Sequence, residues 1–187
     1  MNRLWSPWRL AYVTGSSSTP GCIFCTAIES AEQSPLVLRR GASCFVILNL
    51  YPYNNGHLMV VPNRHIATLA EATDDELGEI MALTRVAETA LHEVYHPHGL
   101  NVGINLGKAA GAGVLDHLHV HVVPRWSGDT NFMTVFGDVR VLPEDLAQTA
   151  DRLRPVFARL AGSGRQAPGS GTGDEDVTRA GTPAPEP

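Results

Sequence analysis

Residues 117–126 read His-Leu-His-Val-His-Val-Val-Pro-Arg-Trp, with His117, His119 and His121 recurring at i, i+2, i+4 and apolar residues between them. Side chains alternate across a β-strand. The spacing therefore predicts a strand whose three imidazoles share one face, while Leu118, Val120 and Val122 turn the other way into a core. The rings should stand about 7 Å apart. Packing does not ask for such a row, whereas neutral imidazoles in line can supply a nucleophile, proton donors to phosphate oxygens, or metal ligands.

Outward from this strand, residues 101–106 (Asn-Val-Gly-Ile-Asn-Leu) read as a further strand, joined to it by a Gly/Ala loop over 107–113. Residues 43–48 and 57–61 are short β-branched and aromatic runs separated by Pro52, Asn54, Asn55 and Gly56, the pattern of an antiparallel hairpin with a long connection. Thr73 followed by Glu76 is a capping-box signature, and Leu77, Ile80, Leu83, Ala87, Leu91 and Val94 continue at helical spacing, predicting a long helix over 74–95. Pro143 and Glu144 open a C-terminal helix that should end near Leu160, with a kink or break at Pro155. The elements predict an α+β domain: an antiparallel sheet of about five strands covered on one face by a long helix and a C-terminal helix.

With 187 residues, 43% of them hydrophobic, the chain has length for one good core and too little for two ordinary domains. The divisions expected are an N-terminal extension (1–21), one domain that carries the histidine row (22–160), and a Gly/Ser/Pro-rich disordered tail (161–187), whose composition offers too little apolar surface to offset the entropy of ordering. No repeat at a period of 20–50 residues is visible. The formal net charge of −5, with no basic run or stripe, speaks against nucleic acid as a partner. The N-terminus lacks the apolar stretch of a secretory signal, and no window approaches the roughly 18 apolar residues of a membrane span, so the expectation is a cytoplasmic protein without a membrane partner. Three cysteines, an odd number, argue against a disulfide framework.

The motif His-Φ-His-Φ-His-Φ-Φ at 117–123, with Asn49-x-x-Pro52, Gly56-His57, Pro62-x-x-His65 and Asn105 before a glycine loop, resembles the histidine triad (HIT) superfamily of nucleotide hydrolases and transferases. The resemblance covers about residues 22–126. Arg3-Leu-Trp-Ser-Pro-Trp-Arg, Asn49-Leu-Tyr-Pro-Tyr-Asn and Arg125-Trp-Ser-Gly-Asp-Thr-Asn-Phe resemble one branch, the bacterial diadenosine tetraphosphate phosphorylases, or ATP adenylyltransferases. The resemblance implies that His119 attacks the α-phosphorus of a nucleotide to give a nucleotidyl-histidine, which a second acceptor then discharges. It also implies a backbone carbonyl on the same strand as the group that sets the His119 tautomer, which accords with the lack of an Asp or Glu partner beside the triad. His121 would donate to a non-bridging oxygen, aided by Asn105 and the amides of Gly111, Ala112 and Gly113. Relatives often carry a hydroxyl or amide side chain at position 113, so Gly113 leaves only backbone contact there.

By its own residues the Gly/Ala loop reads equally as a flexible turn, and Asn49 reads as an Asx cap or, by resemblance, as a contact to the ribose hydroxyls. His57 fits a supporting position behind the catalytic groups, and Lys108 fits a solvated loop lysine better than a phosphate ligand. Cys22-x-x-Cys25 alone is ambiguous, but the βαβ context of a redox pair is missing. The resemblance places Cys22, Cys25, His65 and His117 at the four ligand positions of zinc-bearing family members, and two thiolates with two imidazoles make a closed, structural zinc site. No organic cofactor is expected. The activity expected is phosphorolysis of dinucleoside polyphosphates, diadenosine tetraphosphate and inorganic phosphate giving ATP and ADP. The alternatives are hydrolysis of dinucleoside polyphosphates or nucleoside phosphoramidates, and nucleotide binding without turnover. An exposed sheet edge, together with the family's habit of joining sheets, predicts a homodimer or a dimer of dimers.

Overall fold

The computed structural model describes residues 21–29, 34–129 and 144–162. The expected N-terminal extension (1–21) and disordered tail (161–187) lie outside these apart from Gly21, Ala161 and Gly162, as does Pro143. The elements run α1 (Ile23–Glu29), β1 (Val37–Arg40), β2 (Cys44–Leu48), β3 (Leu58–Pro62), α2 (Asp74–Tyr95), β4 (Gly99–Ile104), β5 (Val120–Arg125) and α3 (Leu146–Gly162), with single 3₁₀ turns at Leu69–Glu71 and Lys108–Ala110. The strands form one antiparallel sheet in the order β1-β2-β3-β5-β4, so β5 inserts between β3 and β4.

Alternation along the strands makes two apolar surfaces. Cys44, Val46, Leu48, Leu58, Val60, Val120 and Val122 face α2 and α3, meeting Ile80, Leu83, Leu91, Leu153 and Phe157. Phe45, Ile47, Met59 and Val61 face the opposite way, where Phe24 of α1 closes over them. This corrects the expectation of a sheet covered on one face. α1 is short, but Phe24 is 1% exposed, and full burial of such a ring is worth roughly 1.5–3 kcal/mol.

The start of α2 is held as its sequence predicts. Glu76 N–H donates to Thr73 Oγ1 at 3.2 Å and Thr73 N–H donates to the Glu76 carboxylate at 2.8 Å. Arg64 pairs with the same carboxylate at 2.6 Å, and these donors hold its pKa down at about 2. The helix stops at His96, which turns left-handed (φ 46°) ahead of Pro97. Gly56 (φ +74°) lets the β2–β3 connection pass against α2, where an added Cβ would meet Leu91 Cδ2 at 3.0 Å and Tyr95 at 3.2 Å.

α3 runs unbroken from Leu146 to Gly162 with Pro155 inside it, so the expected break is absent. Leu153, Val156 and Phe157 are buried around Pro155, and their packing against the sheet and α2 holds the helix across the missing N–H. The ladder of β5 begins at Val120, paired with Val60 and Ile104, which leaves His117 and His119 just ahead of the strand. The chain there bonds elsewhere: Leu118 N–H donates to Ile66 O at 2.6 Å.

Candidate active site and metal centre

Each triad ring meets a partner that fixes its proton. His119 Nδ1 lies 2.8 Å from the backbone carbonyl of His117. A carbonyl only accepts, so Nδ1 carries the hydrogen and Nε2 keeps its lone pair, assigned from the bonding network. The carbonyl donated by the chain two residues back matches the tautomer-setting group that the resemblance implied. His119 is only 4% exposed, and burial holds its pKa below the ordinary imidazole value. Burial thus favours the neutral, nucleophilic imidazole over its protonated form.

His121 is set by a longer chain of donors. Tyr53 N–H donates to His57 Nδ1 at 3.1 Å, so that nitrogen is bare and the His57 proton sits on Nε2. His57 Nε2 lies 2.9 Å from His121 Nδ1, which must accept. The remaining proton of His121 is therefore on Nε2. Burial is the larger cause of a His121 pKa lowered to about 4, with the proximity of His119 second. The two rings meet edge-on with centroids 4.8 Å apart, closer than the 7 Å of an ideal strand row, because only His121 lies in the ladder. A lone pair and an N–H side by side can attack a phosphorus and bind its oxygen.

His57 is fully buried and stands behind His121. Asn49 takes up the Asx reading: its Oδ1 accepts Tyr51 N–H at 3.0 Å, and its Nδ2 donates to His57 Nδ1 at 3.2 Å. Asn105 follows β4 and lines a cavity beside His121. Gly111, Ala112 and Gly113 lie in the β4–β5 connection, with nothing within 4 Å of a Cβ placed on Gly111 or Gly113. The Gly111 and Ala112 N–H groups are engaged within the loop, donating to Lys108 O at 3.0 Å and to Gly107 O at 3.3 Å, so the sequence expectation that they face a ligand does not hold for these two.

His117 turns the other way. Its Nε2 lies 2.9 Å from Pro62 O and must donate, which directs the Nδ1 lone pair at Cys22 Sγ (3.2 Å) and Cys25 Sγ (3.7 Å). Cys25 Sγ is 3.3 Å from His65 Nδ1, and the four ligand atoms all lie within 4.8 Å of one another. Tetrahedral zinc at 2.3 Å from sulfur and 2.0–2.1 Å from nitrogen would set nitrogen and sulfur about 3.5 Å apart, close to the three nitrogen–sulfur distances of 3.2, 3.3 and 3.7 Å found here. The Cys25 thiol is pushed up, first by burial and then by Cys22, a mutual penalty that a bound dication removes. The four residues fit a metal ion in a closed site. No disulfide forms among the three cysteines.

Two aromatic supports escaped the sequence reading. Phe24 packs against His117 and His119, with centroids at 5.3 and 5.2 Å, and so ties the covering of the second sheet face to both the metal group and the nucleophile. Tyr53, whose N–H starts the donor chain, also lays its ring 4.7 Å from His57. Phe24 carried a signal, an aromatic between the two cysteines. The Tyr53 amide carried none, because a backbone donor is invisible in sequence.

The family model for the HIT domain matches residues 30–128. A protein of Mycobacterium tuberculosis named AP-4-A phosphorylase is 44% identical over 167 residues, covering 85% of this chain and 86% of that protein. The crystal structure of a zinc-bound histidine triad family protein from Mycobacterium smegmatis superposes with a TM-score of 0.62 at 31% identity, covering 76% of this chain and 97% of the other. A hypothetical histidine triad nucleotide-binding protein of Sulfolobus tokodaii gives the same TM-score at 26% identity, over 78% of this chain and all of the other.

Proposed function

Since the chain belongs to the HIT domain family, we propose that it is a nucleotidyltransferase that cleaves dinucleoside polyphosphates by phosphorolysis, turning diadenosine tetraphosphate and inorganic phosphate into ATP and ADP. The observation that carries the mechanism is the bond from His119 Nδ1–H to its own chain's carbonyl, which leaves Nε2 as a fixed nucleophile. In the first step Nε2 bonds to the α-phosphorus, the bridging P–O bond to the β-phosphate breaks, and ATP departs with the bonding pair. In the second step an oxygen of inorganic phosphate bonds to the same phosphorus, the N–P bond breaks, and ADP leaves. The proton stays on Nδ1 throughout, donated to the His117 carbonyl, and that accepting oxygen stabilises the positive ring of the intermediate.

His121 Nε2–H binds a non-bridging oxygen as charge develops, a donor of the kind whose removal commonly costs about 2.7–4 kcal/mol. Asn105 and the Gly113 amide serve the other oxygens, while the Gly111 and Ala112 amides close the loop on Lys108 O and Gly107 O. Asn49, with one lone pair and one N–H already engaged, offers the rest of its amide to the ribose. Structural zinc held by Cys22, Cys25, His65 and His117 would crosslink α1 to the sheet; with four protein ligands it would leave no position for water. The zinc-bound relative from Mycobacterium smegmatis supports this reading.

β4 is a sheet edge with Asn101, Val102 and Gly103 exposed, which supports pairing with a second copy as a homodimer or dimer of dimers. No helix among the described residues is long and apolar enough to cross a membrane, and the cytoplasm is the compartment proposed. Incubation with diadenosine tetraphosphate, with and without inorganic phosphate, tests the reading. ADP and ATP appearing only with phosphate are expected; AMP and ATP at equal rates in both would make the enzyme a hydrolase.

A further inference from the structure

A cavity of about 360 Å³ opens along β4 and β5 beside His121. Its walls include Tyr53 and Asn54 from the β2–β3 connection, Asn101 and Asn105 from β4 and its end, and Arg125 at the end of β5. His121 lines it and His119 does not. The sequence dictates this trough: His121, Val123 and Arg125 alternate onto one face of β5, and β4 sets Gly103 opposite His121. An added Cβ at Gly103 would meet nothing within 4 Å, so that stretch of the wall is open.

Among the described residues the lining contains a guanidinium and three side-chain amides but no carboxylate. Arg125 is held from outside the cavity by Asp129, which accepts from its Nε at 2.6 Å and its Nη2 at 2.8 Å. Asp129 also accepts from Asn54 at 2.8 Å. Arg125 Nη1 donates to Asn101 Oδ1 at 2.7 Å, which turns the donor side of the Asn101 amide elsewhere. These bonds account for three of the five N–H donors of a guanidinium and fix its plane, so ordering it around an anion costs little.

On the phosphorylase reading, the leaving polyphosphate departs on the side of the α-phosphorus away from His119 Nε2. By microscopic reversibility the acceptor enters along the same line. The cavity begins at His121, the proposed donor to a non-bridging oxygen of that phosphorus, and runs along β5 away from His119. We propose that it is the polyphosphate subsite: it holds the β- and further phosphates of the departing nucleotide and then the incoming inorganic phosphate, with Arg125 and Asn101 as its anchors. This rests on the proposed phosphorylase activity and adds to it the residues that select a phosphate acceptor over water.

The test compares wild type with Arg125→Gln and Asn101→Asp. Measured are KM for inorganic phosphate, KM for diadenosine tetraphosphate, and the single-turnover rate at which adenosine 5′-phosphoramidate, whose leaving group carries no phosphate, labels His119. Loss of a charge-assisted contact should raise the phosphate KM about tenfold or more in Arg125→Gln while the labelling rate stays within about twofold. Asn101→Asp, which leaves the Arg125–Asp129 pair in place and adds a carboxylate to the wall, should raise the phosphate KM as well. An unchanged phosphate KM in both variants, or a parallel fall in labelling, would overturn the subsite. A wild-type enzyme indifferent to phosphate would remove the phosphorylase reading instead. The subsite would then stand if the variants raise KM for diadenosine tetraphosphate but spare the phosphoramidate, and fall if they do not.

Discussion

Replacing His57 separates a structural histidine from one that sets a proton. His57→Leu keeps an apolar side chain of comparable size in a fully buried position, but it leaves Tyr53 N–H and Asn49 Nδ2 without their acceptor and His121 Nδ1 without its donor. An unsatisfied buried group costs about 1–3 kcal/mol. At roughly 2–4 °C per kcal/mol for a chain of this size, a fall of several degrees in Tm is expected. Catalysis should suffer more. Without the His57 donor, His121 can place its proton on Nδ1 and aim a lone pair at the phosphate, so part or all of one oxyanion donor is lost, with a ceiling of about 10²–10³ in kcat. His57→Gln should recover most of the rate, because the amide N–H can donate to His121 while its oxygen accepts from Tyr53. Steady-state kcat on diadenosine tetraphosphate, read beside ¹⁵N shifts of the His121 ring, gives both answers. Full activity in His57→Leu, equal losses in the Leu and Gln variants, or a wild-type His121 protonated on Nδ1 would refute the donor chain.

Three further perturbations follow from the same geometry. Burial lowers the pKa of His119 and takes that of His121 to about 4, so the acid limb of kcat/KM should lie below the ordinary imidazole value of 6.5, and an inflection at or above 6.5 would contradict the assignment. Glu76→Gln should lower stability by about 2 kcal/mol at pH 7 through weaker bonds to Arg64 and Thr73. Because the Glu76 pKa is depressed to about 2, its contribution is present above pH 4.5 and is lost as pH falls through 2, so the gap in urea midpoints between variant and wild type should close in acid. Gly56→Ala forces a side chain into a left-handed residue packed on Leu91 and Tyr95, and thermal melts should show a loss of about 1–3 kcal/mol, against no change if the turn can relax.

Much of the site was legible because its chemistry is written in local spacing. The i, i+2, i+4 histidines, the Cys-x-x-Cys pair and the Thr73–Glu76 capping box each name their own geometry, and α2 lies where its period put it. Less local facts were hidden. β1 is four residues, Val-Leu-Arg-Arg, stabilised by pairing with β2 and giving no alternation signal of its own. α1 has seven residues, too short for periodicity, and forms under cover of Phe24. The histidine row bends before β5 because Leu118 bonds Ile66 and His117 reaches Pro62, contacts 52 and 55 residues away in sequence. Pro155 looked like a breaker because propensity ignores the core against which α3 packs.

The central claim is a covalent nucleotidyl-His119, and intact-mass spectrometry of the full chain tests it most directly. Wild-type protein and His119→Ala are mixed with diadenosine tetraphosphate in the absence of phosphate, quenched within one turnover, and in a second arm chased with inorganic phosphate. The account predicts one adenylyl group on the wild type, mapped to His119 and discharged as ADP by phosphate, and none on the variant. An adduct of equal yield on His119→Ala, or wild-type turnover with no adduct at any time, would contradict it.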